Sequence, residues 1–223
     1  MGEMIALKAA DGVTIGAYKA VPPKSPKGGL VVVQEIFGVN HHIRSVADRF
    51  AEEGYVALAP ALFDRVKKNV ELAYDEEGMA QGSEWARKIT PDQHYLSIEA
   101  AIEHLAGDGS IGIVGFCLGG TLAFAAAMRS EFLSASVGYY GGGIADMKIA
   151  SPNCPVELHF GENDTHIPRD KIEKVKRDYP EIPVFTYPAG HGFNCDERAS
   201  YDKASAGLAW TRTLSFLARN MAE

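Results

Sequence analysis

The stretch Ile111-Gly112-Ile113-Val114-Gly115-Phe116-Cys117-Leu118-Gly119-Gly120 decides the fold of this chain. An apolar, strand-like run enters a cysteine flanked by glycines, and the alanine-rich segment Thr121 to Met128 that follows reads as a helix. A strand that turns at once into a helix brings backbone against backbone. Gly115 and Gly119 avoid a Cβ clash there, and the residue between them is thrown out at the tip of the bend. This is the G-x-S-x-G nucleophile elbow with cysteine in the serine position. A thiol so placed also meets the positive end of the helix macrodipole, which favours its ionised form. Taken alone, Cys117 reads equally well as a small buried hydrophobe, the usual fate of a free cysteine.

Working outward, the chain alternates apolar runs with amphipathic segments. Met4 to Ala9 and Val13 to Tyr18 read as a hairpin turned at Asp11-Gly12. Strands are expected at Leu30 to Gln34, Val56 to Ala59, Ile111 to Gly115, Ala135 to Tyr140, Val156 to Phe160 and Val184 to Tyr187. Helices are expected at His42 to Glu53, Asp92 to Ala106, after Cys117, near Arg169 to Tyr179 and from Tyr201 to Asn220. The runs are apolar throughout rather than alternating, so the strands are covered on both faces. The expected fold class is therefore α/β: a mostly parallel sheet with helices on both faces.

No repeat, linker or low-complexity tract breaks the 223 residues, which are expected to form one domain, 1–223. A net charge of −7 and the lack of a basic stripe exclude nucleic acid and anionic membranes as expected partners. No apolar run is long enough to span a bilayer, and the N-terminus does not read as a secretion signal. Cys117, Cys154 and Cys195 are odd in number and lack paired spacing, so the expected location is the reducing cytoplasm.

Ligands of such sheets sit beyond the carboxyl ends of the strands. Cys117, Glu35, Asp164 and His191 all follow strands in that sense. A thiol attacking an acyl carbon needs a base, and the base needs a partner to fix its tautomer. His191, between glycines after the last strand, suits the base; Asp164, after the preceding strand, suits the partner. The order nucleophile, acid, histidine is that of α/β-hydrolases. The other histidines compete poorly: His166 is too near Asp164 in sequence and is expected at the surface, and His159 reads as a core residue within a strand. His94 and His104 fall on a helix. His41 and His42 are adjacent and face different ways, and without an H-E-x-x-H pattern or a cysteine pair no metal site is marked. No nucleotide, flavin or other cofactor is called for. The run Gly141-Gly142-Gly143 lacks the lysine of a phosphate loop and is expected to be a flexible strand exit.

Q-E-I-F-G-V-N at Gln34 to Asn40, G-F-C-L-G-G at Gly115 to Gly120, Y-Y-G-G at Tyr139 to Gly142, and H-G-F-N at His191 to Asn194 followed by Arg198 together resemble the dienelactone hydrolase family. The similarity runs from about Leu30 into the C-terminal helix. It implies an α/β-hydrolase fold in which Cys117, Asp164 and His191 match the family triad. It also implies that Glu35 matches the glutamate that helps deprotonate the cysteine when substrate binds; read without the resemblance, Glu35 is a strand-end carboxylate. The fold then offers the backbone amides of Ile36 and Leu118 as an oxyanion hole. The implied activity is a carboxymethylenebutenolidase-like opening of small lactones or esters through a cysteine acyl-enzyme.

The resemblance weakens at substrate recognition. Family members hold a substrate carboxylate with arginines, one of them shortly after the histidine, and here that neighbour is missing. Arg198, further along, and Arg87, in the long segment Ala61 to Thr90, are the candidate replacements. That segment, with Tyr74 and Trp85, is expected to be either a lid carrying a short helix or surface packing. Phe37 and Tyr139 are candidates for an apolar lining. Two alternatives stay open: an esterase or thioesterase for another small acyl compound, and a ligand-binding or redox-sensing protein with Cys117 oxidised to a sulfenic acid. The sequence does not fix the oligomeric state.

Overall fold

In the computed structural model, which describes residues 2–222, the expected hairpin is β1 (Glu3–Lys8) and β2 (Thr14–Ala20). The chain then runs through β3 (Gly29–Val33), α1 (His41–Glu52), β4 (Val56–Pro60), α2 (Glu76–Lys88) and α3 (Pro91–His104). It continues through β5 (Ile111–Phe116), α4 (Leu118–Arg129), β6 (Leu133–Tyr139), β7 (Val156–Gly161), α5 (Arg169–Asp178), β8 (Val184–Tyr187) and α6 (Lys203–Asn220). All strands share one sheet in the order β1-β2-β4-β3-β5-β6-β7-β8. β2 runs antiparallel to both its neighbours, and the pairs from β4 to β8 are parallel.

Burial explains the uniform apolar runs. Every residue of β3, β4 and β5 is buried, and β7 is buried throughout even though Glu157 and His159 interrupt its apolar run. α1 and α6 cover one face together, with Phe50 against Trp210 at 4.4 Å. α3 and α4 pack together on the other face, where Phe124 of α4 meets Tyr179 at the end of α5 at 5.1 Å. Side-chain caps start the helices: Asn40 accepts from the Ile43 amide, Asp202 from Ser205, and Thr90 forms a capping box with Gln93 ahead of Pro91. Each such cap is worth about 1 kcal/mol.

The chain leaves β3 toward α1 on one face and leaves the adjacent β5 into α4 on the other. The carboxyl ends of β3 and β5 therefore flank a switch point, where two diverging connections leave a crevice.

Candidate active site

Cys117 stands at the end of β5 with φ +56° and ψ −113°, a backbone conformation that L-residues rarely adopt. The surroundings over-determine it. A Cβ on Gly115 would lie 1.9 Å from the Gly119 carbonyl oxygen, and one on Gly119 would lie 2.2 Å from that of Val33. The Cys117 amide donates to the Tyr139 carbonyl at 3.0 Å, and its carbonyl accepts from Thr121 at 3.2 Å. The bend is held from both sides, and the thiol reaches an open cleft of about 400 Å³.

His191, on the loop after β8, lines the same cleft. Its Nδ1 lies 2.7 Å from Asp164 Oδ2; a carboxylate only accepts, so Nδ1 carries the proton. The other Asp164 oxygen accepts from the His166 and Ile167 amides at 2.8 and 3.0 Å. Burial opposes the charge on Asp164, but His191 and these amides outweigh it and hold the carboxyl below its usual range. Burial likewise disfavours a charged His191, yet the hydrogen bond to Asp164 and the nearby Cys117 push it up to about 10. Both neighbours thus favour the protonated imidazole.

Glu35 follows β3 and is fully buried. Its carboxylate accepts from the Tyr74 hydroxyl at 3.0 Å and from Arg198 Nη1 at 3.3 Å. The arginine folds back over Gly192, where a Cβ would lie 2.6 Å from Arg198 Nη1, so the glycine makes room for the guanidinium. Tight turns between Gly192 and Arg198 shorten the path, which is how a residue seven places beyond the histidine lines the cleft. The Arg198 guanidinium also sits 5.6 Å from the Phe37 ring and 5.5 Å from that of Tyr74.

Ile36 and Leu118 both line the cleft. Neither backbone N–H has a protein acceptor among the described residues. The Gln34 side chain fixes the Ile36 strand exit: it accepts from the Leu62 amide at 3.0 Å and donates to the Glu35 carbonyl at 3.1 Å.

A match to the family model described as dienelactone hydrolase family covers residues 15–221. The chain belongs to the dienelactone hydrolase family. A carboxymethylenebutenolidase of Pseudomonas putida is 32% identical, over 97% of this chain and 96% of that protein. A putative carboxymethylenebutenolidase of Synechocystis is 33% identical, over 91% and 87%. Among solved structures, a putative dienelactone hydrolase from Klebsiella pneumoniae superposes with a TM-score of 0.84 at 31% identity, covering 97% of this chain and 99% of that one.

Within this family frame, several residues stand elsewhere than the sequence suggests. Tyr139, a candidate for the lining, is buried in the core instead, its hydroxyl 2.7 Å from Thr213 of α6. Successive strand residues point to opposite faces, and Tyr139 falls on the α6 side. Trp85 is not at the cleft either; it packs against Phe63 in a small cluster with Val70 and Ile89. Arg87 is exposed and absent from the cleft lining.

The segment from Ala61 to Thr90 carries α2, of 13 residues, which forms one wall. Met79 and Ser83, one turn apart, line the cleft. Gly82 between them lets the helix rest on the Ile36 carbonyl, only 1.9 Å from where a Cβ would sit.

Sequence reasoning missed three further features. His166, though exposed, lines the cleft with its ring 5.1 Å from that of His191, because the two adjacent strand-end loops converge. Gly142 and Gly143 also line the cleft, and the Gly143 amide donates to Thr121 Oγ1 at 3.1 Å, so this strand exit is anchored. The third is the gathering of buried Glu35, His42 and Cys195, from three separate segments. No local spacing announces it.

The three cysteines differ sharply. Cys154 and Cys195 are buried, and burial pushes their thiols up to about 11 and about 12. Cys117 is partly exposed. Iodoacetamide at neutral pH is expected to label Cys117 first, read by peptide mass mapping. Labelling of Cys195 ahead of Cys117 would contradict the arrangement.

Proposed function

We propose that this protein hydrolyses small lactones or esters of the dienelactone type through a thioester on Cys117. The observation that carries the reading is one open cleft shared by a strained, partly exposed thiol and an imidazole locked to a buried carboxylate. The Cys117 sulfur attacks the acyl carbon, and the charge developing on the carbonyl oxygen is met by the free amides of Ile36 and Leu118. As the C–O bond breaks, His191 gives its proton to the leaving oxygen. Neutral His191 then takes a proton from water, which attacks the thioester and expels the thiolate.

Glu35 supplies a switch in this scheme. At rest Arg198 and Tyr74 occupy its carboxylate. A substrate that brings its own carboxylate competes for Arg198, and Glu35, released from the guanidinium, becomes free to take the Cys117 proton. Free thiols at all three cysteines support a reducing, cytoplasmic setting for this chemistry. Among the described residues no helix is long and apolar enough to cross a membrane.

The test is a turnover panel of a dienelactone and a neutral aryl acetate on wild type and Arg198→Gln. A charge-assisted hydrogen bond is worth about 1.5–3 kcal/mol, so kcat/KM for the carboxylated lactone is expected to fall roughly 10- to 100-fold. The neutral ester should change far less. Equal losses on both substrates would remove Arg198 from carboxylate recognition, and a wild type inert toward every lactone and ester would end the hydrolytic reading.

A further inference from the structure

Around Glu35 the structure gathers side chains that the hydrolytic cycle leaves unused. A ring nitrogen of His42, a carboxylate oxygen of Glu35 and the sulfur of Cys195 lie within 4.8 Å of one another, and all three residues are buried. His42 comes from the first turn of α1, Glu35 from the exit of β3, and Cys195 from the loop ahead of α6.

His42 adds a second observation. Its side chain is fully buried, and its Nδ1 lies 3.1 Å from Asp196 Oδ1. Its Nε2 has no hydrogen-bond partner among the described residues. A buried polar atom left unpaired costs about 1–3 kcal/mol, so it calls for a ligand. An imidazole steered by a carboxylate on one nitrogen and bare on the other is how proteins present histidine to a metal ion.

We infer that Glu35, His42 and Cys195 form a site for a thiophilic divalent cation, zinc above all, whose binding withholds Glu35 from Cys117. The second half rests on the role proposed above for Glu35; the binding itself does not. Thiolate, imidazole and carboxylate together suit zinc, whereas magnesium and calcium take oxygen ligands. Tetrahedral zinc with bonds of about 2.0–2.3 Å holds its ligands roughly 3.5 Å apart. Donors within 4.8 Å reach that spacing by closing about an ångström, within the range of side-chain torsions.

The exchange balances in charge and protons. The Cys195 thiol releases its proton to solvent as the sulfur–zinc bond forms, and Glu35 trades Arg198 for the ion. His42 stays neutral, giving its Nε2 lone pair while Nδ1–H remains on Asp196. One thiolate and one carboxylate then neutralise the two positive charges. Arg198, which lines the cleft above Glu35, is the side chain that must move to admit the ion. Without the ion burial keeps the Cys195 proton in place, so the thiol does not compete with Cys117 as a nucleophile.

Cobalt(II) occupies zinc sites and reports thiolate ligation by an intense near-ultraviolet charge-transfer band, so it is titrated into wild type and three variants. One equivalent is expected to raise the band, and zinc to abolish it. The band should persist in Cys117→Ala and vanish in Cys195→Ser. His42→Gln, which keeps every cysteine, should weaken the affinity at least about 10-fold. No band in wild type, or a band that follows Cys117 instead of Cys195, overturns the site. These spectra need no turnover, so their outcome is independent of the hydrolase reading.

The regulatory half is read separately. Zinc should lower kcat reversibly in wild type, with a chelator restoring it. His42→Gln and Cys195→Ser should hydrolyse as wild type does without zinc and resist inhibition. Inhibition that survives in both would place the inhibitory ion on Cys117 and overturn that half.

Discussion

Replacing Cys117 by alanine is expected to lower kcat/KM toward lactones and esters by about 10⁴- to 10⁶-fold while the protein stays folded. Removing the nucleophile of a triad costs amounts of this order, because the oxyanion donors and the binding cleft alone leave only residual catalysis. Folding should not suffer, since Cys117 is partly exposed and the bend is set by backbone contacts at Gly115 and Gly119. Alanine keeps the strained φ of +56°, so the thermal midpoint should move by no more than about 2 °C. Cys117→Gly is the informative companion. Glycine accepts that φ freely, so the glycine variant should be inactive yet stabler by about 1 kcal/mol. Stability and activity would then move in opposite directions at one position, as expected where strain is held for function. Full ester turnover by Cys117→Ala would refute the assignment outright.

The fold was legible because its signals are local and agree with one another. The run Ile111 to Phe116 is apolar at every position because helices cover both faces of β5, and the elbow glycines mark where backbone meets backbone. Strand ends shifted by a residue or two: Gln34 and Tyr140 read as strand, but β3 stops at Val33 and β6 at Tyr139. Both residues lie where side-chain and loop contacts take over from the ladder. Asp164 and His191 were visible because each follows a strand in a parallel sheet, which sends it to one end of the molecule.

What escaped sequence reasoning depends on tertiary contact. α2 contains two glycines and few apolar residues, so its periodicity is weak; the Asp75 cap and the close seating of Gly82 on Ile36 define it. Trp85 and Arg87 are candidates by residue type and by their place in the long segment Ala61 to Thr90, and the helix turns one into a core and the other to solvent. Arg198 shows the converse. Its distance in sequence from His191 hides a path folded by successive turns, and only the structure shows its guanidinium on Glu35. The Glu35, His42 and Cys195 cluster has the same character, since its three members are far apart in the chain.

Asp164→Asn is expected to lower kcat by about 100- to 10,000-fold, through the tautomer of His191 rather than through lost contacts. The His166 and Ile167 amides both donate to Oδ1, so an asparagine keeps its carbonyl oxygen there and turns its NH₂ toward His191. A donor at that position forces Nδ1 to accept, which moves the ring proton to Nε2. Nε2 then cannot take a proton from water, and no carboxylate stabilises the imidazolium. The loss should fall short of that from deleting the sulfur, because a thiol retains nucleophilicity without a base. Stability gives a second readout with a definite sign. The folded state holds the Asp164 carboxyl below its ordinary 3.8, so its contribution is present above that pH and is lost as pH falls through the depressed value. Asp164→Asn should therefore be less stable than wild type at pH 7, and the gap in urea midpoint should shrink as the pH is lowered below 3.8. A variant with wild-type turnover, or with a gap that widens in acid, would show that Asp164 does not govern His191.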